Sequence, residues 1–326
     1  MFLFVAAAEE ERYNIFFLFA DSWAKMNFEE NSFKRIRSVD DAVVKAKKVV
    51  KKLQPQDITA IVIVAALLPI GYLFEVCYVF SFFHEWLSDD WLLRVVPLTY
   101  CGLNVYLNLW KIVSVGPNGK TSDLPSIMKP GFKYCHSCNV NSPPRSHHCP
   151  VCETCVLRRD HHCSFAAVCI GHFNQRYFVA AIANLMVVAV ICTWYNFSFV
   201  LTILPNMKAS EYWWLCLPHL ALVLRYISFY QFFVLVYFAS SLTVVIFNGY
   251  LIAAQVFCIY RGQTRIEYLM DVQAYNCGIL ENIKQALGRR WPFIFISPFI
   301  PSPLDSDGIS YKVHEMEDLS KQTKYM

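Results

Sequence analysis

Charge is scarce in this sequence. Only 17% of its 326 residues are Asp, Glu, Lys or Arg, where an average soluble chain carries roughly a quarter. Hydrophobic residues make up 56%. That balance excludes an ordinary soluble surface. A large net charge is also missing: +4 does not by itself suggest nucleic acid, and no nucleic-acid partner is expected. A clear secretory leader is missing as well. The opening "MFLFVAAAEEER" has a short apolar stretch, no basic start and three glutamates, and no function is attached to it. No internal repeat longer than a Cys-x2-Cys unit is visible.

What the sequence does have is apolar runs long enough for a bilayer, which takes about 20 helical residues. They cover residues 58–83, 91–113, 177–204 and 227–260. The second contains Asn104 and Asn108. The fourth belongs to an apolar region, 212–260, broken by His219 and Arg225, and is read as one tilted span. Trp213 and Trp214 then sit at the lumenal headgroups. Lys45, Lys47, Lys48, Lys51 and Lys52 precede the first span, and the acidic "HEWLSDD" follows it. Basic residues return between Lys111 and Arg176, and again at Arg261, Arg265, Arg289 and Arg290. Positive charge marks the cytosolic side, so parity gives four spans. The predicted fold class is an all-α polytopic membrane protein, with four transmembrane helices and a cytosolic zinc-binding cysteine-rich domain between helices 2 and 3. Its parts are a cytosolic N-terminal region with a polybasic segment (1–56), helices 1 and 2 (57–113), the cysteine-rich domain (114–176), helices 3 and 4 (177–260) and a cytosolic C-terminal region (261–326).

Seven of the thirteen cysteines fall between Cys135 and Cys169, together with His148, His161 and His162. A disulfide framework is disfavoured, because cytosolic thiols stay reduced and seven is odd. Zinc takes four Cys or His ligands in structural sites, and Cys-x2-Cys places two thiolates on one turn. Two ions need eight ligands; six cysteines and two histidines supply them, and one cysteine is left over. Spacing alone does not identify it. Chemistry favours Cys163, because His161 can take its proton and Asp160 can orient the imidazole. A metal-only loop, in which all seven cysteines and several histidines are ligands, stays open at this point.

The run Cys-x2-Cys-x9-His-Cys-x2-Cys-x2-Cys-x4-Asp-His-His-Cys-x5-Cys extends from Cys135 to Cys169 and is followed by "GHFNQRYF". It resembles the DHHC-type zinc-finger protein acyltransferases, or palmitoyltransferases, and the resemblance covers about residues 55–290. It implies one structural zinc on Cys135, Cys138, His148 and Cys155, and a second on Cys149, Cys152, His162 and Cys169. It makes Cys163 the nucleophile, His161 its base and Asp160 the residue that orients the base. The implied reaction moves a fatty acyl group from acyl-CoA, palmitoyl-CoA in particular, to Cys163 and then to cysteines of target proteins. It takes place at the cytosolic face of an endoplasmic reticulum or Golgi membrane. A cavity between the spanning helices is expected to hold the acyl chain, membrane lipids are further partners, and Arg158, Arg159 and Arg176 are candidates to meet the CoA phosphates.

Some residues depart from the family pattern. Arg265 replaces the second threonine of Thr-Thr-x-Glu in "QTRIE", where Thr264 and Glu267 match. Ser164 and Phe165 replace Pro-Trp, Ala167 and Val168 replace two asparagines, and "VGPNG" stands for Asp-Pro-Gly. Asn282 in "AYNCGILENIKQALG" falls on the family's structural asparagine. "FIFISPFIPSPL", interrupted by Pro298, Pro301 and Pro303, is expected to rest on the membrane surface. These departures support a second expectation, a catalytically weak or inactive zinc-containing membrane scaffold.

Overall fold

Pro55 follows an extended Gln54 and opens the first helix, the position where proline's fixed φ and missing N–H do least harm. The computed structural model describes residues 54–119, 128–204, 208, 211 and 213–312. The opening segment and the cluster from Lys45 to Lys52 lie outside the described residues. Helix α1 (Pro55–Phe83) contains two π-helical segments, Ile63–Leu67 and Glu75–Val79. Helix α2 (Asp89–Val115) continues through Pro97. Helix α3 covers Gln175–Ile203. Two short helices, α4 (Trp213–Cys216) and α5 (Pro218–Val223), precede the long α6 (Phe229–Tyr260).

Among the described residues, α1, α3 and α6 are long and apolar enough to cross a membrane, with mean hydropathy 2.3, 2.1 and 2.0. They fit a multi-pass membrane protein. At about 1.5 Å per residue, a helix as long as α6 exceeds a hydrocarbon core of about 30 Å. Neither α4 nor α5 is long enough to span. Helix α2 has the length of a span but is not among the three apolar enough, and it buries Asn104 and Asn108.

The chain divides into two compact units. One, Ile70–Tyr106 with Val179–Val256, has an apolar core that includes Val79, Phe199, Val200 and Leu235. The buried Glu75 accepts hydrogen bonds from Asn196 Nδ2 at 3.1 Å and Tyr237 Oη at 3.3 Å. Lipid offers a polar group no partner, so such groups pair inside the protein.

The other unit, of which residues 54–69, 107–119, 128–178 and 257–312 are described, holds the cysteine-rich segment and the tail. Here the all-α expectation needs correction. The segment folds as three antiparallel hairpins: β1 (Lys133–Cys135) with β2 (Val140–Ser142), β3 (His147–Cys149) with β4 (Thr154–Val156), and β5 (His161–Cys163) with β6 (Val168–Ile170). Each tight turn ends on a left-handed residue: Asn139 (φ 54°), Glu153 (φ 52°) and Ala167 (φ 49°). The hairpins start at Lys133, His147 and His161, fourteen residues apart. The expectation of no longer repeat is therefore corrected as well. The units share chiefly their Cys and His positions, so sequence self-similarity is faint.

The tail places two short helices beside this domain. Thr264 caps α7 (Arg265–Leu269) in a capping box with Glu267, which satisfies two free helix N–H groups at once. Helix α8 (Ile279–Leu287) ends at Gly288, with φ 88°, where a Cβ would collide with the Ser302 carbonyl. Asn282 is buried. Its Nδ2 donates to Tyr260 O at 3.0 Å and Asn276 Oδ1 at 2.8 Å, and its Oδ1 accepts from Cys277 N at 3.0 Å. Asn282→Ala strands these buried groups. The expected loss is about 2 kcal/mol, read as a thermal unfolding midpoint lower by about 5 °C in detergent.

Candidate metal and thiol site

Two groups of four side chains converge in the hairpins. Cys135, Cys138, His148 and Cys155 bring one ligand atom each to within 4.8 Å of one another, and so do Cys149, Cys152, His162 and Cys169. Each group takes the two cysteines of one hairpin turn and a cross-strand pair from the next hairpin. His148 lies opposite Cys155, and His162 opposite Cys169. A tetrahedral zinc with bonds of about 2.3 Å to sulfur and 2.0 Å to nitrogen spaces two sulfurs about 3.8 Å apart and sulfur from nitrogen about 3.6 Å. In the second group the Cys152 and Cys169 sulfurs are 3.7 Å apart. His162 Nδ1 is 3.3 Å from Cys152 Sγ and 3.9 Å from both Cys149 and Cys169 Sγ. In the first, Cys138 Sγ is 3.1 Å from His148 Nδ1. Both groups fit a tetrahedral metal ion.

Strand alternation then separates chemistry from metal. Successive side chains of a strand point to opposite faces, so on β5 the residues on either side of His162 face away from the second group. Those residues are His161 and Cys163. His161 Nδ1 donates to Asp160 Oδ2 at 2.8 Å. Burial disfavours the imidazolium, but the bond and charge of Asp160, together with the nearby Cys163 thiol, outweigh it and raise the His161 pKa to about 9. Cys163 is only 5% exposed, and the Phe178 ring meets His161 edge-on at 5.0 Å.

Asp160 is held from the tail too. Its Oδ1 accepts from the Arg265 backbone N–H at 2.8 Å. The contact is made by main chain, so the change from threonine to Arg265 leaves it in place. Behind it, buried Arg145 forms a two-pronged pair with Glu267, at 2.6 and 2.7 Å, and donates to Gly262 O at 2.9 Å. The Tyr275 and Tyr311 rings stack on its guanidinium at 4.3 and 4.9 Å. Two further amides fasten the hairpins. Asn118 of "VGPNG" bonds Cys155 O and Leu157 N, both at 2.9 Å. Asn174 bonds Cys169 O at 3.0 Å and Ile112 O at 3.2 Å.

The three arginines suggested for a CoA phosphate have different surroundings. Arg158 is 2% exposed and donates to Gln175 Oε1 at 2.6 Å. Burial and the neighbouring Arg145 lower its pKa to about 10. It has no surface to offer a ligand, which corrects that assignment. Arg159 is half-buried and donates to His148 O at 3.0 Å. Arg176 is half-buried, donates to Ser302 O and stacks on Tyr177 at 4.9 Å.

Sequence reasoning missed Asp57. It lies in the first turn of α1, 1% exposed, with Oδ2 3.4 Å from His162 Nε2. A carboxylate behind a metal-binding histidine fixes the ring and raises its basicity. The available signal was a lone acid at the start of an apolar span, a costly placement that calls for a partner.

Paired tetrahedral Cys/His groups beside an Asp-His-Cys set define a metal-organised thiol site. The family model for DHHC palmitoyltransferase matches residues 128–272. Over this stretch, which is less than half of the chain, the sequence is similar to the DHHC palmitoyltransferases. It is 34% identical over 200 residues to "Probable palmitoyltransferase ZDHHC24" of Danio rerio, covering 59% of this chain and 65% of that protein. Identity to the protein of the same name from Homo sapiens is 32% over 186 residues, covering 56% and 64%. Identity to "Palmitoyltransferase PFA4" of Mycosarcoma maydis is 34% over 209 residues, covering 59% and 40%. Each match covers less than two thirds of the relative's length.

Asp57→Ala is expected to weaken metal binding in the Cys149 group about tenfold to a hundredfold and to leave the Cys135 group unchanged. Chelator competition followed by zinc analysis reads this as one ion lost early and one retained.

Proposed function

We propose that the chain is a protein S-acyltransferase that carries a fatty acyl group on Cys163, from acyl-CoA to cysteines of target proteins. The observation that supports this most is the sharing of one face of β5 by His161 and Cys163, with Asp160 bonded to the imidazole. His161 takes the thiol proton on the ring nitrogen that Asp160 leaves free. The Cys163 thiolate attacks the thioester carbonyl. A carbon–sulfur bond to Cys163 forms as the bond to the CoA sulfur breaks, and the proton goes to the departing CoA thiolate. In the second half a target cysteine gives its proton to His161 and attacks the acyl-Cys163 carbonyl, and Cys163 recovers the proton as it leaves.

Two zinc ions, one on Cys135, Cys138, His148 and Cys155 and one on Cys149, Cys152, His162 and Cys169, lock the hairpins together and are structural. In this reading α2 is the fourth span, the zinc domain and both termini are cytosolic, and the membrane is that of the endoplasmic reticulum or Golgi. The clusters of lysine and arginine at the span ends support that orientation. Arg159 is the arginine proposed to meet the CoA phosphates. Donors, acceptors and lipids are the partners.

The test is incubation of the purified chain with labelled palmitoyl-CoA. Hydroxylamine-sensitive label on the wild type, reduced to background in Cys163→Ser, is expected. Label that persists in the variant defeats the assignment of the nucleophile, and a folded wild type that never takes label supports the scaffold reading. A finer expectation concerns Asp160. Arg265 is the first residue of α7 and Thr264 is extended, so Arg265→Pro keeps the helix but deletes the N–H on Asp160. Losing a hydrogen bond to a charged group costs about 1.5–3 kcal/mol. Self-acylation should slow about tenfold or more in Arg265→Pro and change little in Arg265→Thr.

A further inference from the structure

Outside the thiol site, three cations surround one cavity. It has a volume of about 390 Å³ and is lined by Lys111, Arg176, Arg290, Tyr177 and Phe299, with Ser302 and three prolines completing the wall. None of its lining side chains is acidic. Among the described residues none of the three cations is in an ion pair, whereas the adjacent Arg289 pairs with Asp305. Lys111 Nζ lies over the Trp110 and Phe299 rings at 5.0 and 5.1 Å. Arg176 Nε is buried with no hydrogen-bond partner. The Arg290 side chain is exposed, and its backbone N–H donates to Ser302 Oγ at 3.1 Å. Like charges gathered without a counter-charge repel, and an anion among them relieves that repulsion.

The position indicates what carries the anion. Arg176 lies in the first turn of α3, an apolar span, and Lys111 near the end of α2. Cations at the ends of apolar spans are placed to meet lipid headgroups. Around the tail wall Phe293, Ile296 and Phe299 are each at least half exposed, and Trp110 is 42% exposed. Such a rim suits acyl chains better than water. We infer that this cavity binds the phosphate of an anionic phospholipid, with Lys111, Arg176 and Arg290 on the phosphate and the aromatic rim against the glycerol and upper chains. The phosphates of CoA carry the same chemistry, but even in acyl-CoA the polar pantetheine arm, and not the fatty chain, lies next to them and does not match the apolar rim.

The full chain, purified in neutral detergent, is titrated by native mass spectrometry with dioleoyl phosphatidic acid, dioleoyl phosphatidylcholine and CoA. Phosphatidic acid is expected to bind at least about tenfold more tightly than phosphatidylcholine. Lys111→Ala and Arg290→Ala should each weaken it about fivefold, and Arg290→Lys should restore most of the loss. Zinc content of each variant reports whether the fold is kept; Arg290 is exposed, so its variants serve if Lys111→Ala loses zinc. Phosphatidic acid binding that is indifferent to both substitutions, or sensitivity confined to CoA, overturns the inference. Both readings are independent of acyl transfer, so an inactive chain that binds the lipid still supports it.

Discussion

The alternation of side chains along a three-residue strand, β5, governs the site. His162 turns to a metal group, and its neighbours His161 and Cys163 turn together to the other face. A metal that pins His162 would therefore fix the proposed base and nucleophile without touching either. The fourteen-residue repeat explains why the thiol is spare. Cys135 and Cys149 each open a turn that contains a second cysteine, Cys138 or Cys152. Cys163 opens the third turn, but Ala166 stands where the second cysteine belongs. The next hairpin would supply a histidine fourteen residues after His162; that position is Arg176, already in α3. The repeat ends one unit too early to make a third metal group.

The Asp160 carboxylate is positioned by residues distant in sequence. Arg145, Glu267 and the capped start of α7 form one connected set, and the Arg265 N–H passes its position to Asp160. A buried Arg–carboxylate pair stripped of one partner leaves an uncompensated charge, at a cost of about 3–5 kcal/mol, so this set holds as a unit. The tail is thus part of the site's scaffolding. It also explains why Arg265, a marked departure from the family pattern, leaves the support of Asp160 intact. Ser164, Phe165, Ala167 and Val168 lie in and beside the third turn, where the left-handed Ala167 closes the hairpin. Nothing in the structure explains the choice of Ser164.

The four long helices lie close to where hydropathy alone puts them, because twenty or more apolar residues carry a strong signal. Helix α2 is the weak one, diluted by Asn104, Asn108 and its charged ends. The eight Cys and His residues sort into the two groups that the family resemblance assigned. The hairpins were not legible. Three-residue strands offer no hydrophobic period, and their pairing is dictated by turns that look like simple metal knuckles. Asp57 and the Arg145–Glu267 pair were hidden for another reason: their partners are over a hundred residues away. Arg158 misled because a basic residue beside a thiol reads as exposed, and here it is enclosed.

The spare status of the Cys163 sulfur is the claim on which the rest depends, and X-ray absorption at the zinc edge addresses it directly. The account requires an average of three sulfurs and one nitrogen around each zinc, unchanged when Cys163 is replaced by alanine. A drop in the sulfur count of that variant would make Cys163 a metal ligand and leave the proposed acyl transfer without a nucleophile.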